Sequence, residues 1–155
     1  MRQRHTDRSR RQDGFTLIEI MVVIVILGIL AGVVSFGVIR YIDDARVRQA
    51  MLQIANLKNA LDAFKLDTGN YPSQEEGLGA LLEPPADERA AKQWKGPYLE
   101  SDEIPNDPWG NAYLYQVSEY PGTGVERVEI ISYGKDGAQG GESYNADVSN
   151  RKLSD

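Results

Sequence analysis

The 155-residue chain contains no cysteine and one histidine, His5. Without thiols there is no disulfide, no Cys–His nucleophile pair and no cysteine ligand for zinc. His5 lies in the basic first fourteen residues, so the rest of the chain has no Ser-His-Asp arrangement and no imidazole ligand. Carboxylates are plentiful, 23 Asp and Glu against 17 Lys and Arg. No two of them stand in a recognisable acid–base pair, and scattered acids of this kind form a solvated surface rather than a hydrolytic site. Cationic stretches are also scarce. Residues 1–14 hold five Arg and two Asp, a net +3, so a whole-chain charge of −6 leaves −9 on the remainder. With no basic stripe interleaved with aromatics, nucleic acid is excluded as a direct partner.

What the chain does have is one long apolar run. From Phe15 to Ile39 (FTLIEIMVVIVILGILAGVVSFGVI) the only charge is Glu19. As a helix, Ile20 to Ile39 measures about 30 Å, the thickness of a bilayer's hydrocarbon core. A secretory signal has a shorter apolar region, about 7–15 residues, ending at a small-residue cleavage site. This run is longer and leads straight into another helical pattern. Residues 40–48 carry a net +1 against +3 before the run, which predicts a cytoplasmic N-terminus and an external C-terminal bulk. An ionised side chain in lipid costs at least ~2.5 kcal/mol, so Glu19 is a functional candidate that requires a partner.

Residues 40–67 keep helical period without a breaker. Val47, Ala50, Ile54, Leu57, Leu61 and Phe64 form one apolar stripe, with Arg46, Arg48, Lys58, Asp62 and Lys65 mostly off it. The repeat is too short for a coiled coil and predicts packing against a domain of the same chain. Gly69 and Pro72 stop it, so an unbroken helix from Phe15 to Asp67 would be about 80 Å long. Residues 73–82 predict a short helix, with Ser73 and Glu76 spaced as a capping box. Residues 112–117 and 125–133 predict strands joined by a hairpin turn over 120–124. Residues 40–155 thus read as a compact α+β domain with few regular elements, in which Trp94 and Trp109 serve as packing anchors. In residues 133–148, Gly134, Gly137, Gly140 and Gly141 accompany the hard oxygens of Asp136, Glu142, Ser143, Asn145 and Asp147. The spacing is not an EF-hand, and from the residues alone both an acidic surface loop and a calcium loop remain open.

The junction Gly14-Phe15-Thr16-Leu17-Ile18-Glu19 resembles the class III signal of type IV pilins and pseudopilins. The continuation IMVVIVILGILA is similar to major pseudopilins of type II secretion systems. The resemblance extends through Phe64-Lys65-Leu66-Asp67, Asn70-Tyr71-Pro72, Glu75-Glu76-Gly77-Leu78-Gly79-Ala80-Leu81, Trp94-Lys95-Gly96-Pro97-Tyr98-Leu99 and the run from Asp107 to Tyr115 (DPWGNAYLY). It implies a type IV pilin-like α+β fold, with a long N-terminal helix, transmembrane in its first half, packed on a small antiparallel sheet with a C-terminal calcium loop. It also implies three segments: a leader, 1–14, removed by a prepilin peptidase; a transmembrane and assembly helix, 15–39; and a periplasmic domain, 40–155. By the same resemblance, cleavage falls between Gly14 and Phe15 and the new amine of Phe15 is methylated, while Glu19 acts in assembly. The resemblance further implies one structural calcium ion, bound by the carboxylates of Asp136 and Asp147, the carbonyls of Tyr133 and Ala138, and an oxygen of Ser143.

The implied function is structural. A non-enzymatic subunit leaves the inner membrane to polymerise into the periplasmic pseudopilus that exports folded proteins. Its partners are further copies of itself, minor pseudopilins, the peptidase and an inner-membrane assembly platform. A type IV pilin or minor pseudopilin is the alternative of the same kind, and a membrane-tethered calcium-binding sensor the alternative of another. The chain departs from the family pattern at several places. Ser35-Phe36-Gly37 replaces a proline, Lys135 a small residue and Asn145 an acid, and Asn150 is followed by Arg151 where tryptophan is usual.

Overall fold

The computed structural model describes residues 14–151, with the side chains of residues 33–39 outside the description. The chain divides into two compact units, Met1–Arg40 and Tyr41–Asp155. Helix α1 runs Leu17–Thr68. In the first unit every large apolar residue from Phe15 to Leu30 is exposed, from 46% at Val23 to 80% at Leu17. Among the described residues no helix is long and apolar enough to cross a membrane. The expected span of residues 15–39 includes seven whose side chains are not described, and residues 1–13 of the expected leader also lie outside the described residues.

In the second unit the predicted stripe of α1 is the wall of the core. Ala50, Ile54, Leu57, Leu61 and Phe64 are buried, and Val47 packs beside them. Each large aliphatic side chain so buried contributes about 1.5–3 kcal/mol. Thr68 ends the helix by donating its hydroxyl to the Phe64 carbonyl (2.8 Å), and Gly69 follows in the left-handed region, where a side chain would be strained.

The opposite wall is a three-stranded antiparallel sheet in the order β1 (Leu114–Glu119), β2 (Glu126–Ser132), β3 (Val148–Ser149). Tyr115 pairs with Ile130 and Val117 with Val128, which directs Tyr115, Val128 and Ile130 into the core with Tyr113. Both predicted strands are present, the first shifted by two residues and the second shorter by one at each end, and the hairpin closes where Tyr120 N–H donates to the Val125 carbonyl (2.9 Å). The predicted helix over 73–82 is instead a turn followed by a 3-10 helix, Gly77–Leu81. The expected capping bonds are made all the same: Ser73 N–H donates to Glu76 Oε2 (3.0 Å) and Glu76 N–H to Ser73 Oγ (3.2 Å). Gly77, at φ 55°, turns the chain and keeps the segment from continuing as an α-helix.

Among the elements not foreseen, two owe their hydrogen bonds to a single side chain. Helix α2 (Glu88–Gln93) is capped by Asp87, whose carboxylate accepts from Ala90 N–H (2.8 Å). Strand β3 has two residues and is continued by a side chain: Asn150 Oδ1 accepts from Ile130 N–H (2.7 Å) and its Nδ2 donates to the Val128 carbonyl (3.0 Å). On the other edge of the sheet, Gln74 donates to the Tyr115 carbonyl (2.6 Å) and accepts from Val117 N–H (3.2 Å). Trp94 is an anchor as expected, donating its indole N–H to the Ala80 carbonyl (3.0 Å) and meeting Tyr98 edge-on. Trp109 is half-buried, and its indole nitrogen is a buried donor without a partner among the described residues.

Candidate functional site

The chemistry-bearing residues fall in two places, one in each unit. At the N-terminal end, Gly14 and Phe15 are exposed, and among the described residues nothing would lie within 4 Å of a Cβ at Gly14, an open backbone of the kind proteolysis needs. Thr16 caps α1. Its hydroxyl accepts from Glu19 N–H (3.3 Å), and its carbonyl accepts from Glu19 N–H (3.1 Å) and Ile20 N–H (3.3 Å). Threonine three residues before a glutamate is a capping-box spacing, so Thr16 was legible in the sequence but not read there. Glu19 is exposed in the first turn, where a negative charge meets the positive end of the helix dipole.

The second place is the loop between β2 and β3. Two 3-10 turns, Gly134–Asp136 and Ser143–Asn145, carry it. Gly134 is required by close approach: a Cβ there would lie 2.9 Å from the carbonyl oxygens of Tyr144 and Ala146. Ser143 is the one described non-glycine residue at positive φ, 57°, an uncommon conformation for a residue with a Cβ. Asp136, Ala138 and Ser143 are exposed, and Tyr133 and Asp147 are half-buried. Asp136 Oδ1 accepts from Ala138 N–H (3.1 Å), while both oxygens of Asp147 accept from Gly140 N–H (3.0 Å each), folding the loop back on itself.

The donors in this loop are oxygens only. Among the described residues no group of three or more His, Cys, Asp and Glu side chains is arranged to hold a metal. A cation held here would have to draw on two carboxylates, main-chain carbonyls, a hydroxyl and water. That set fits calcium and not zinc.

Two contacts tie the loop to α1. Lys135 Nζ donates to Asp43 Oδ2 (2.9 Å) and Tyr144 OH to Asp44 Oδ1 (3.0 Å). Lys135 was singled out in the sequence only as a departure from the family pattern, and its partner 92 residues away had no local signal.

The family described as type II secretion system (T2SS), protein G, matches residues 37–151. The chain belongs to the type II secretion system protein G family. The prokaryotic N-terminal methylation motif matches residues 9–35, across the Gly14-Phe15 junction. Among the relatives of this chain, the type II secretion system core protein G of Pseudomonas aeruginosa is 46% identical over 92% of the chain and 97% of the relative. That of Vibrio cholerae is 39% identical over 96% and 97%. The crystal structure of the major pseudopilin from the type 2 secretion system of enterohaemorrhagic Escherichia coli matches with a TM-score of 0.55 and 30% identity, covering 72% of this chain and 90% of that one. The chain thus has the α+β, pilin-like fold that its residues imply.

Proposed function

We propose that this chain is cut between Gly14 and Phe15, methylated on the new amine, held in the inner membrane by residues 15–39 with its domain in the periplasm, and then polymerised. The chain is a structural pseudopilus subunit for type II secretion. It needs no catalytic group of its own, because the work it does is packing.

One observation carries the reading beyond the family. The described part of the apolar run is exposed on every side of its helix, and a helix apolar all round requires lipid or a protein core around it. In the membrane, lipid meets that requirement, and in a filament the helices of neighbouring copies do. Glu19 is the exception on this surface. The amine left at Phe15 stands four positions away, and its counterpart on a neighbouring copy is the partner that hides both charges and sets one axial stagger. Such a pair fixes register even where it adds no net stability.

Asp136 and Asp147, with the carbonyls of Tyr133 and Ala138 and an oxygen of Ser143, hold calcium. The ion supplies the positive charge that lets two carboxylates and several carbonyl dipoles share one small loop. Cells producing the chain with its peptidase and assembly platform should display filaments in electron microscopy, with subunits that begin at Phe15 by mass spectrometry. Gly14→Val should leave the precursor uncut and the cells bare. Filaments built from uncut precursor would overturn the cleavage between Gly14 and Phe15, and a domain that stays monomeric in the membrane after cleavage would favour the tethered sensor instead.

A further inference from the structure

We propose that Lys135 and Tyr144 form a two-point clamp by which the loop between β2 and β3 holds the first turns of the domain part of α1, Asp43 to Val47, in helical order. Asp43 and Asp44 sit at the start of the second unit, which begins at Tyr41. The Asp43 side chain is only 7% exposed, so its charge requires compensation inside the fold. Arg46, three residues on in the same helix, reaches it at only 3.9 Å, a weak geometry. Lys135 Nζ at 2.9 Å is the stronger partner, and it comes from the loop. One residue along, the Tyr144 hydroxyl takes Asp44 from the second 3-10 turn of the same loop.

Lys135 and Tyr144 belong to the two chain segments that meet where Gly134 faces the carbonyls of Tyr144 and Ala146. A loop that closes there presents both side chains together, and one that opens separates them. Val47 is the first residue of α1 packed against the core. The turn before it therefore depends on the clamp rather than on burial of an apolar stripe.

The clamp stands on these contacts alone. Its effect on metal binding also rests on the calcium assignment, and the two are read separately. The mature full-length protein in detergent micelles is followed by hydrogen–deuterium exchange in chelator. Lys135→Met removes the cation and keeps the apolar stem, whereas Lys135→Arg keeps the pair. The Met variant should exchange about tenfold or more faster at amides of both residues 43–47 and residues 134–146, with β1 and β2 unchanged, and the Arg variant should match the parent.

Faster exchange in the loop but not in residues 43–47 would overturn the clamp, as would no change in either. If the Met variant loses protection throughout the sheet, Tyr144→Phe, which removes one hydroxyl, decides by the same two segments. In the second arm calcium is titrated by calorimetry. By charge alone, deleting a lysine beside a cation site should tighten binding. The clamp predicts the opposite sign, a weakening of about tenfold, in the range of lost supporting contacts at metal sites. Tighter binding would overturn the coupling. No calcium binding by the parent would remove the metal assignment and leave the exchange result to judge the clamp.

Discussion

Asp107 is a buried carboxylate without a cation beside it among the contacts it makes: Oδ2 accepts from the Ser132 hydroxyl (2.6 Å), and Oδ1 accepts from Trp109 N–H (3.1 Å) and Asn111 N–H (2.8 Å). It fixes the Asp-Pro-Trp-Gly-Asn turn and, through Ser132, whose Oγ accepts from Gly134 N–H (3.2 Å), the entry of the β2–β3 loop. Asp107→Ala leaves the buried Ser132 hydroxyl unmatched, at about 1–3 kcal/mol, and takes the acceptor from two half-buried N–H groups, so urea denaturation should show the domain destabilised by at least that amount. Glu19 makes a contrasting case. Its backbone N–H, not its carboxylate, takes the Thr16 cap, so Glu19→Ala keeps the helix start. Cleavage and domain folding should persist, and pulldown of filaments from that variant should recover few or none.

Among elements, the C-terminal half of α1 is where the sequence was most legible, because a 3.6-residue apolar period is dictated by the core it faces. Its end is pinned by acids that no periodicity reveals. Asp62 accepts from Lys58 Nζ (2.5 Å) and Tyr71 OH (2.7 Å), and Asp67 accepts from Lys95 Nζ (2.7 Å) and Tyr98 OH (2.9 Å). Partial burial works to raise the Asp62 carboxyl, but the bonds from Lys58 and Tyr71 outweigh it and hold it below the usual range. The bond from Lys95, then that from Tyr98, lowers Asp67, and Ser73 N–H lowers Glu76 against its own partial burial. Folded values below unfolded ones mean that the stabilisation is complete above the unfolded range of about 4 and is lost as pH falls through it toward the folded values. Melting temperature should hold from pH 7 to 5 and fall below 4, and Asp67→Asn should flatten that fall. Helix α2 and strand β3 escaped the sequence reading for a shared reason: six residues and two residues are too short to show a period, and both exist because a side chain, Asp87 or Asn150, completes their hydrogen bonds.

At the scale of the whole molecule, no disulfide secures the C-terminal end of the chain, and the sheet's last strand is two residues long. A ligand that binds only the folded form stabilises by about 2.7 kcal/mol at a hundred times its dissociation constant. The mature protein should therefore melt at higher temperature in millimolar calcium than in chelator. Magnesium should substitute poorly because it demands a smaller octahedral cage, and Asp136→Ala and Asp147→Ala should each erase the difference. That residues 133–148 form a glycine-rich, acidic loop was legible in their composition, whereas the contacts of Lys135 and Tyr144 with Asp43 and Asp44 were not, since nothing local records a partner so distant in sequence. Gln74 and Asn150 have a consequence at this scale too. A pilus crowds many copies at very high local concentration, and an open strand edge invites neighbouring sheets to zip into a cross-β ladder. Here a carboxamide lies along each flank of the sheet, taking a carbonyl and an N–H of β1 on one side and of β2 on the other. Two carboxamides thereby blunt both flanks of the sheet against edge-to-edge pairing with a neighbouring copy.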